Sequence, residues 1–96
     1  MNNVKILYYN SETIDGDLLE TTINTNQSTV SHYSIKPGLM LVNFRGSARE
    51  LYNSLGDMIK DKSILILDLN SEEKSYYGFM NKDLWAWLEI NNGIQG

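Results

Sequence analysis

A chain of 96 residues supports one domain, and a domain of this size buries about 60 to 65% of its unfolded surface, so stability is modest and a partner would add to it. Its 42% apolar and 21% charged residues exclude a disordered chain, and the lack of cysteine excludes disulfides, thiolate metal sites and a cysteine nucleophile. A net charge of -4 works against broad attraction to nucleic-acid phosphates, and the start Met1-Asn2-Asn3-Val4-Lys5 and the short apolar runs predict a soluble, cytoplasmic protein with no membrane segment.

Val4 to Tyr9 is rich in β-branched and aromatic residues and reads as the first strand. Asp17 and Glu20 then stand at the spacing of a helix N-cap and its reciprocal third residue, predicting a short helix through Ile23 that its threonines weaken. After a polar, turn-prone stretch, Val30 to Ile35 forms a half-polar strand suited to a sheet edge. Lys36-Pro37-Gly38 is a turn in which proline fixes φ and glycine supplies a positive φ, so the strands beside it pair as a hairpin.

The second strand of that hairpin, Leu39 to Phe44, alternates Met40, Val42, Phe44 with Leu39, Leu41, Asn43, and both sets are mostly apolar. Ser47 and Glu50 have capping-box spacing, and Ala48, Leu51, Leu55, Met58 and Ile59 make one helical stripe, with Gly56 inside it. Ile64 to Leu69 is the next strand, again apolar on both faces until Asp68, and its pattern predicts an interior position in the sheet. Ser75-Tyr76-Tyr77-Gly78-Phe79 reads as a short edge strand or an aromatic loop. A final helix spans Asn81 to Ile90, with Met80, Leu84, Trp87 and Leu88 on one face, followed by a frayed tail over residues 91–96.

This order describes one domain over residues 1–96, an α+β, ferredoxin-like β-α-β-β-α-β sandwich with a short extra strand or loop and a C-terminal helix. In such a sandwich both helices lie on one face of the sheet. The other face, formed by Leu7, Leu39, Leu41, Ile64 and Ile66 or by the complementary set, then needs a second covering layer. Either a second protomer or the helix carrying Trp85 supplies it. The expected interface is Leu39, Leu41, Ile64, Ile66, Tyr76, Tyr77, Phe79 and Trp85.

His32-Tyr33, the strand Leu39 to Asn43, the helix around Ser47-Ala48-Arg49-Glu50-Leu51, the strand Ile64 to Asp68, and Tyr77-Gly78-Phe79 before Trp85-Ala86-Trp87-Leu88 form a diffuse pattern. It resembles the SinR-like proteins, grouped with the small CRISPR-associated endoribonucleases of spacer acquisition and the virulence-associated protein D ribonucleases. The resemblance covers about Val4 to Tyr9 and Ser31 to Leu88. It implies a ferredoxin-like protomer that dimerises through its open sheet face. It also implies a metal-dependent ribonuclease in which an aspartate after the first strand places a divalent cation. Asn10 stands at the matching position, and an uncharged amide is a poor sole anchor for Mg²⁺.

Arg45-Gly46-Ser47-Ala48-Arg49 is the best ligand-like segment, since Arg45, Gly46, Ser47 and Arg49 at a helix start have the chemistry to hold a phosphate. Capping alone also accounts for Ser47. Asp15, Asp17 and Glu20 lack the spacing of a calcium loop, and Glu12, Asp68, Glu72 and Glu73 read as charged turn residues rather than replacement ligands. His32 has no partner set for catalysis and reads as a satisfied strand histidine. No catalytic residue, metal site or cofactor is expected, and the sequence leans toward a non-enzymatic, homodimeric regulatory protein of a bacterium or phage with a protein partner. A defence-related or inhibitory role suits its size and acidity. The alternatives are a ribonuclease with an altered site and a phosphate-ligand sensor.

Overall fold

The computed structural model describes residues 4–69 and 82–92. Its elements are β1 (Val4–Tyr9), α1 (Gly16–Asn24), β2 (Thr29–Lys36), β3 (Leu39–Phe44), α2 (Ala48–Ser54), a single 3-10 turn (Gly56–Ile59), β4 (Ile64–Asp68) and α3 (Lys82–Asn92). The fold is α+β, and the described residues form a four-stranded sheet in the order β2-β3-β1-β4 with every strand pair antiparallel. This order is compatible with the ferredoxin-like arrangement expected from the sequence. No described helix is long and apolar enough to cross a membrane.

The hairpin forms as its turn chemistry requires. Lys36 pairs with Leu39 across Pro37 and Gly38, and Gly38 has φ +96, which a residue with a Cβ rarely adopts. β2 lies at one edge of the sheet, in keeping with its half-polar sequence. The capping box at Ser47 also forms: the Glu50 N–H donates to Ser47 Oγ at 3.0 Å, and the Ser47 N–H donates to Glu50 Oε1 at 3.2 Å.

Four expectations need correction. Asp15, not Asp17, caps α1, because its extended backbone (φ -69, ψ 113) aims its carboxylate at the Asp17 and Leu18 N–H groups. The stripe from Ala48 to Ile59 is not one helix: α2 stops at Ser54, and Gly56 takes φ 63 as the first residue of the 3-10 turn. Leu51, Leu55 and Ile59 are still buried together. Among the described residues β4 is an edge strand rather than an interior one, pairing with β1 alone. Finally, Asn91 belongs to α3 rather than to a frayed tail.

Register assigns the faces, because residues directly opposite one another in a ladder point to the same side. Leu7 pairs with Met40 on one side and Ile66 on the other, while Tyr9 pairs with Ile64. These residues join the main core with Ile14, Leu19 and Ile23 from α1 and its approach and with Leu51 and Leu55 from α2 and its end. The opposite face carries Val4 and Leu41, which pack against Leu84 and Leu88 of α3 in a second core. Ile6, Tyr33, Ile35 and Trp87 border it, and the Tyr33 and Trp87 rings lie 6.3 Å apart at 54°.

Polar contacts hold the end of α3 in place. Ser31 Oγ and Asn43 Nδ2 both donate to Asn91 Oδ1, the latter at 3.1 Å, and Asn91 Nδ2 donates to the Trp87 carbonyl at 2.9 Å. One amide therefore ties α3 to β2 and β3, and Asn43 acquires a partner on an otherwise apolar strand face.

Candidate functional site

The sequence demanded a cover for the second face of the sheet, and α3 provides only part of it. Leu41 is 5% exposed beneath α3, whereas Tyr8 is 63%, Leu65 54% and Leu67 49% exposed. Tyr8 pairs with Leu39 and with Leu65, and Ile6 pairs with Leu41 and with Leu67, so these side chains form two rows across β3, β1 and β4 on the α3 side. In each row the β3 residue is better covered than its β4 counterpart, and in the Leu39–Tyr8–Leu65 row the exposure already begins at Tyr8. The result is an uncovered apolar strip at the β1–β4 side of this face.

The same geometry revises the expected interface. Leu39 and Leu41 lie on the face that α3 shares, but Leu41 is buried by α3 itself. Leu7, Ile64 and Ile66 lie on the other face, against the main core, so they do not share a surface with Leu39 and Leu41. The grouping failed because strand alternation yields two sets without saying which set of one strand aligns with which set of its neighbour. Tyr8, Leu65 and Leu67 belong to the strip and were not singled out by sequence. Their signal was the alternation of β1 and β4, legible only once register is known. Trp85 lies in α3, and Tyr76, Tyr77 and Phe79 lie outside the described residues.

An open cleft of about 640 Å³ adjoins the strip where β1 ends, bounded by Tyr8, Asn10, Glu12, Lys36, Ser63 and Leu65. Asn10 is a turn builder here. Its Oδ1 accepts the Glu12 N–H at 2.9 Å, and its carbonyl accepts the Thr13 and Ile14 N–H groups at 3.1 and 3.0 Å. Its own N–H donates to the Ser63 carbonyl at 3.0 Å, which joins the end of β1 to the entry of β4. These bonds account for Asn10 without a metal. Among the described residues, no group of three or more His, Cys, Asp or Glu side chains is placed to hold a metal ion.

The other acidic candidates are engaged locally. Asp68 Oδ1 lies 2.7 Å from Lys5 Nζ, Asp15 caps α1, and Glu20 Oε1 lies 3.6 Å from His32 Nε2. Glu12 is exposed at the cleft, and Glu72 and Glu73 lie outside the described residues. His32 is therefore a β2 residue facing α1, with no nucleophile placed beside it by any described contact.

At the phosphate-binding candidate, Arg45 and Arg49 are exposed, and the Arg45 N–H donates to the Ser28 carbonyl at 2.8 Å. The Glu50 carboxylate sits at the start of α2, where an anion would have to bind, and bonds to Ser47. A Cβ on Gly46 would come 2.9 Å from the Phe44 ring and 3.3 Å from the Glu50 carboxylate, so close packing explains this glycine. The structure thus brings Arg45, Gly46, Ser47 and Arg49 to one turn but fills its helix end with the chain's own acid. Compared with known proteins, the chain matches no family model, no curated protein and no solved structure.

Proposed function

We propose that this chain is a small homodimeric binding protein of a bacterium or phage, ferredoxin-like and of the SinR-like type, that works in the cytoplasm by contact with another macromolecule rather than by catalysis. The observation that carries this reading is the uncovered strip of Tyr8, Leu65 and Leu67 beside α3. Single exposed apolar residues are ordinary, but adjacent ones on a rigid sheet lose hydration cost when a partner covers them, at about 25 cal/mol per Å². The net charge of -4 favours a protein partner over nucleic acid. The hydrogen bonds that hold the Asn10 turn, and the carboxylate that occupies the start of α2, support binding over ribonuclease or phosphate-sensing roles.

Sedimentation of the purified chain at micromolar concentration should show a dimer. Leu65→Lys, at an exposed position, should shift it toward monomer with the circular dichroism spectrum unchanged. Affinity capture from the native cell should recover a protein that Leu67→Lys loses. A monomer at every concentration rules out the homodimer, and capture that yields no partner rules out the wider binding role.

A further inference from the structure

The two edges of the sheet differ. β2 is interrupted by register shifts between Thr29 and Ser31 and between Ser34 and Lys36, and bulges of this kind blunt an edge against further pairing. β4 pairs with β1 in unbroken register from Ile64 to Asp68, and among the described residues nothing pairs with its outer side. It also presents apolar side chains both ways: Leu65 and Leu67 are exposed on the α3 side, while Ile64 and Ile66 are only partly buried at the margin of the main core. A regular, apolar outer strand of this sort is a template for a further strand.

We infer that the outer edge of β4 pairs antiparallel with β4 of a second copy, centred on Leu65, to form one continuous eight-stranded sheet. This rests on the homodimeric reading above and specifies its contact. A two-fold axis normal to the sheet keeps α1 and α2 of both copies on one side and α3 of both on the other, so each residue faces one of its own parity. Centring on Leu65 sets Leu65 against itself, Ile64 against Ile66, and Lys62, just before the strand, against Asp68. Centring on Ile66 or Leu67 would instead set the Asp68 carboxylate opposite Ile64 or Ile66. Among registers that keep at least three β4 residues opposite one another, charge complementarity therefore selects the Leu65 register, and it does so twice, once at each end of the pairing.

Asp68 can accept this second cation. Its side chain is 63% exposed although Oδ1 lies 2.7 Å from Lys5 Nζ, so a carboxylate edge remains open to Lys62 of the second copy. On the α3 side the pairing joins the two strips of Tyr8, Leu65 and Leu67 into one band. On the other side it extends each main core across the new strand pair.

The chain has no cysteine, so single cysteines report the register without background. Leu65→Cys, oxidised mildly, should give a covalent dimer. Leu67→Cys should not, because in this register its two copies sit four residues apart, about 13 Å, beyond disulfide reach. Lys62→Glu should raise the dimer dissociation constant about ten-fold or more. Circular dichroism shows that each variant is folded. A dimer in which the Leu65→Cys thiols stay reduced, or in which the Leu67→Cys variant crosslinks instead, overturns the pairing centred on Leu65 and leaves the homodimer standing. A chain that sediments as a monomer, whether because its own residues cover the β4 edge or for any other reason, overturns both.

Discussion

Lys5 shows how one charged residue is kept in an apolar strand. It is 3% exposed and lies opposite Asp68 in the β1–β4 ladder, so its methylene stem packs inside while its ammonium reaches a carboxylate at the sheet margin. Gly38 shows the opposite case, a residue chosen for what it lacks. Its φ of +96 and the 2.9 Å approach that a Cβ would make to the Tyr9 carbonyl both oppose any side chain. Its own carbonyl accepts the Tyr9 N–H at 2.9 Å, so displacement of the turn also disturbs the end of β1. Gly38→Ala should therefore cost about 1 to 3 kcal/mol. Gly56→Ala, at φ 63 with nothing within 4 Å of the added carbon, should cost only the left-handed backbone term of about 1 to 2 kcal/mol and less than Gly38→Ala. Urea denaturation of the two variants checks the order; equal losses would show that the close approach at Gly38 carries no weight.

At the scale of elements, α3 is the one whose position decides what remains available for binding. Leu84 and Leu88 are 4% and 6% exposed against Val4 and Leu41, and Asn91 fixes the end of the helix through Ser31 and Asn43. Leu88→Ala removes a side chain from a small core with few neighbours able to refill the space, and should cost about 2 to 3 kcal/mol. Hydrogen exchange should quicken in α3 before it does in β1 and β3, since the main core does not depend on Leu88. A loss under about 0.5 kcal/mol, of the size seen for surface substitutions, would show that α3 does not cover the sheet in solution. The capping box at Ser47, the Pro37-Gly38 hairpin and the limits of β3 follow from local chemistry and were legible in the sequence. The break at Gly56 was not, because a helix and a helix followed by a 3-10 turn place Leu51, Leu55 and Ile59 on the same side.

For the whole molecule, the proposed binding role and the ribonuclease alternative predict different behaviour in one tube. Incubated with RNA and Mg²⁺ or Mn²⁺, the purified chain should leave the RNA intact, since Asn10 serves the turn after β1 and no described acidic cluster can hold the ion. Metal-dependent cleavage that disappears on Asn10→Ala or Glu12→Gln would overturn the proposed binding role and place the chemistry in the cleft beyond β1.

The amino-acid sequence by itself determined that both faces of the sheet are largely apolar, because Leu39 to Phe44 and Ile64 to Asp68 alternate apolar side chains to each side. It also determined the strands, the hairpin and the second helix start, each set by contacts between near neighbours in the chain. Only the tertiary structure decided how the cover is shared. α3 shields Val4 and Leu41, while Tyr8, Leu65 and Leu67 stay exposed and Ile64 and Ile66 turn to the main core. The physical reason is register. A strand's alternation defines two faces, but which face meets which layer depends on pairings between residues far apart in the chain, such as Tyr8 with Leu65, and no local pattern encodes these.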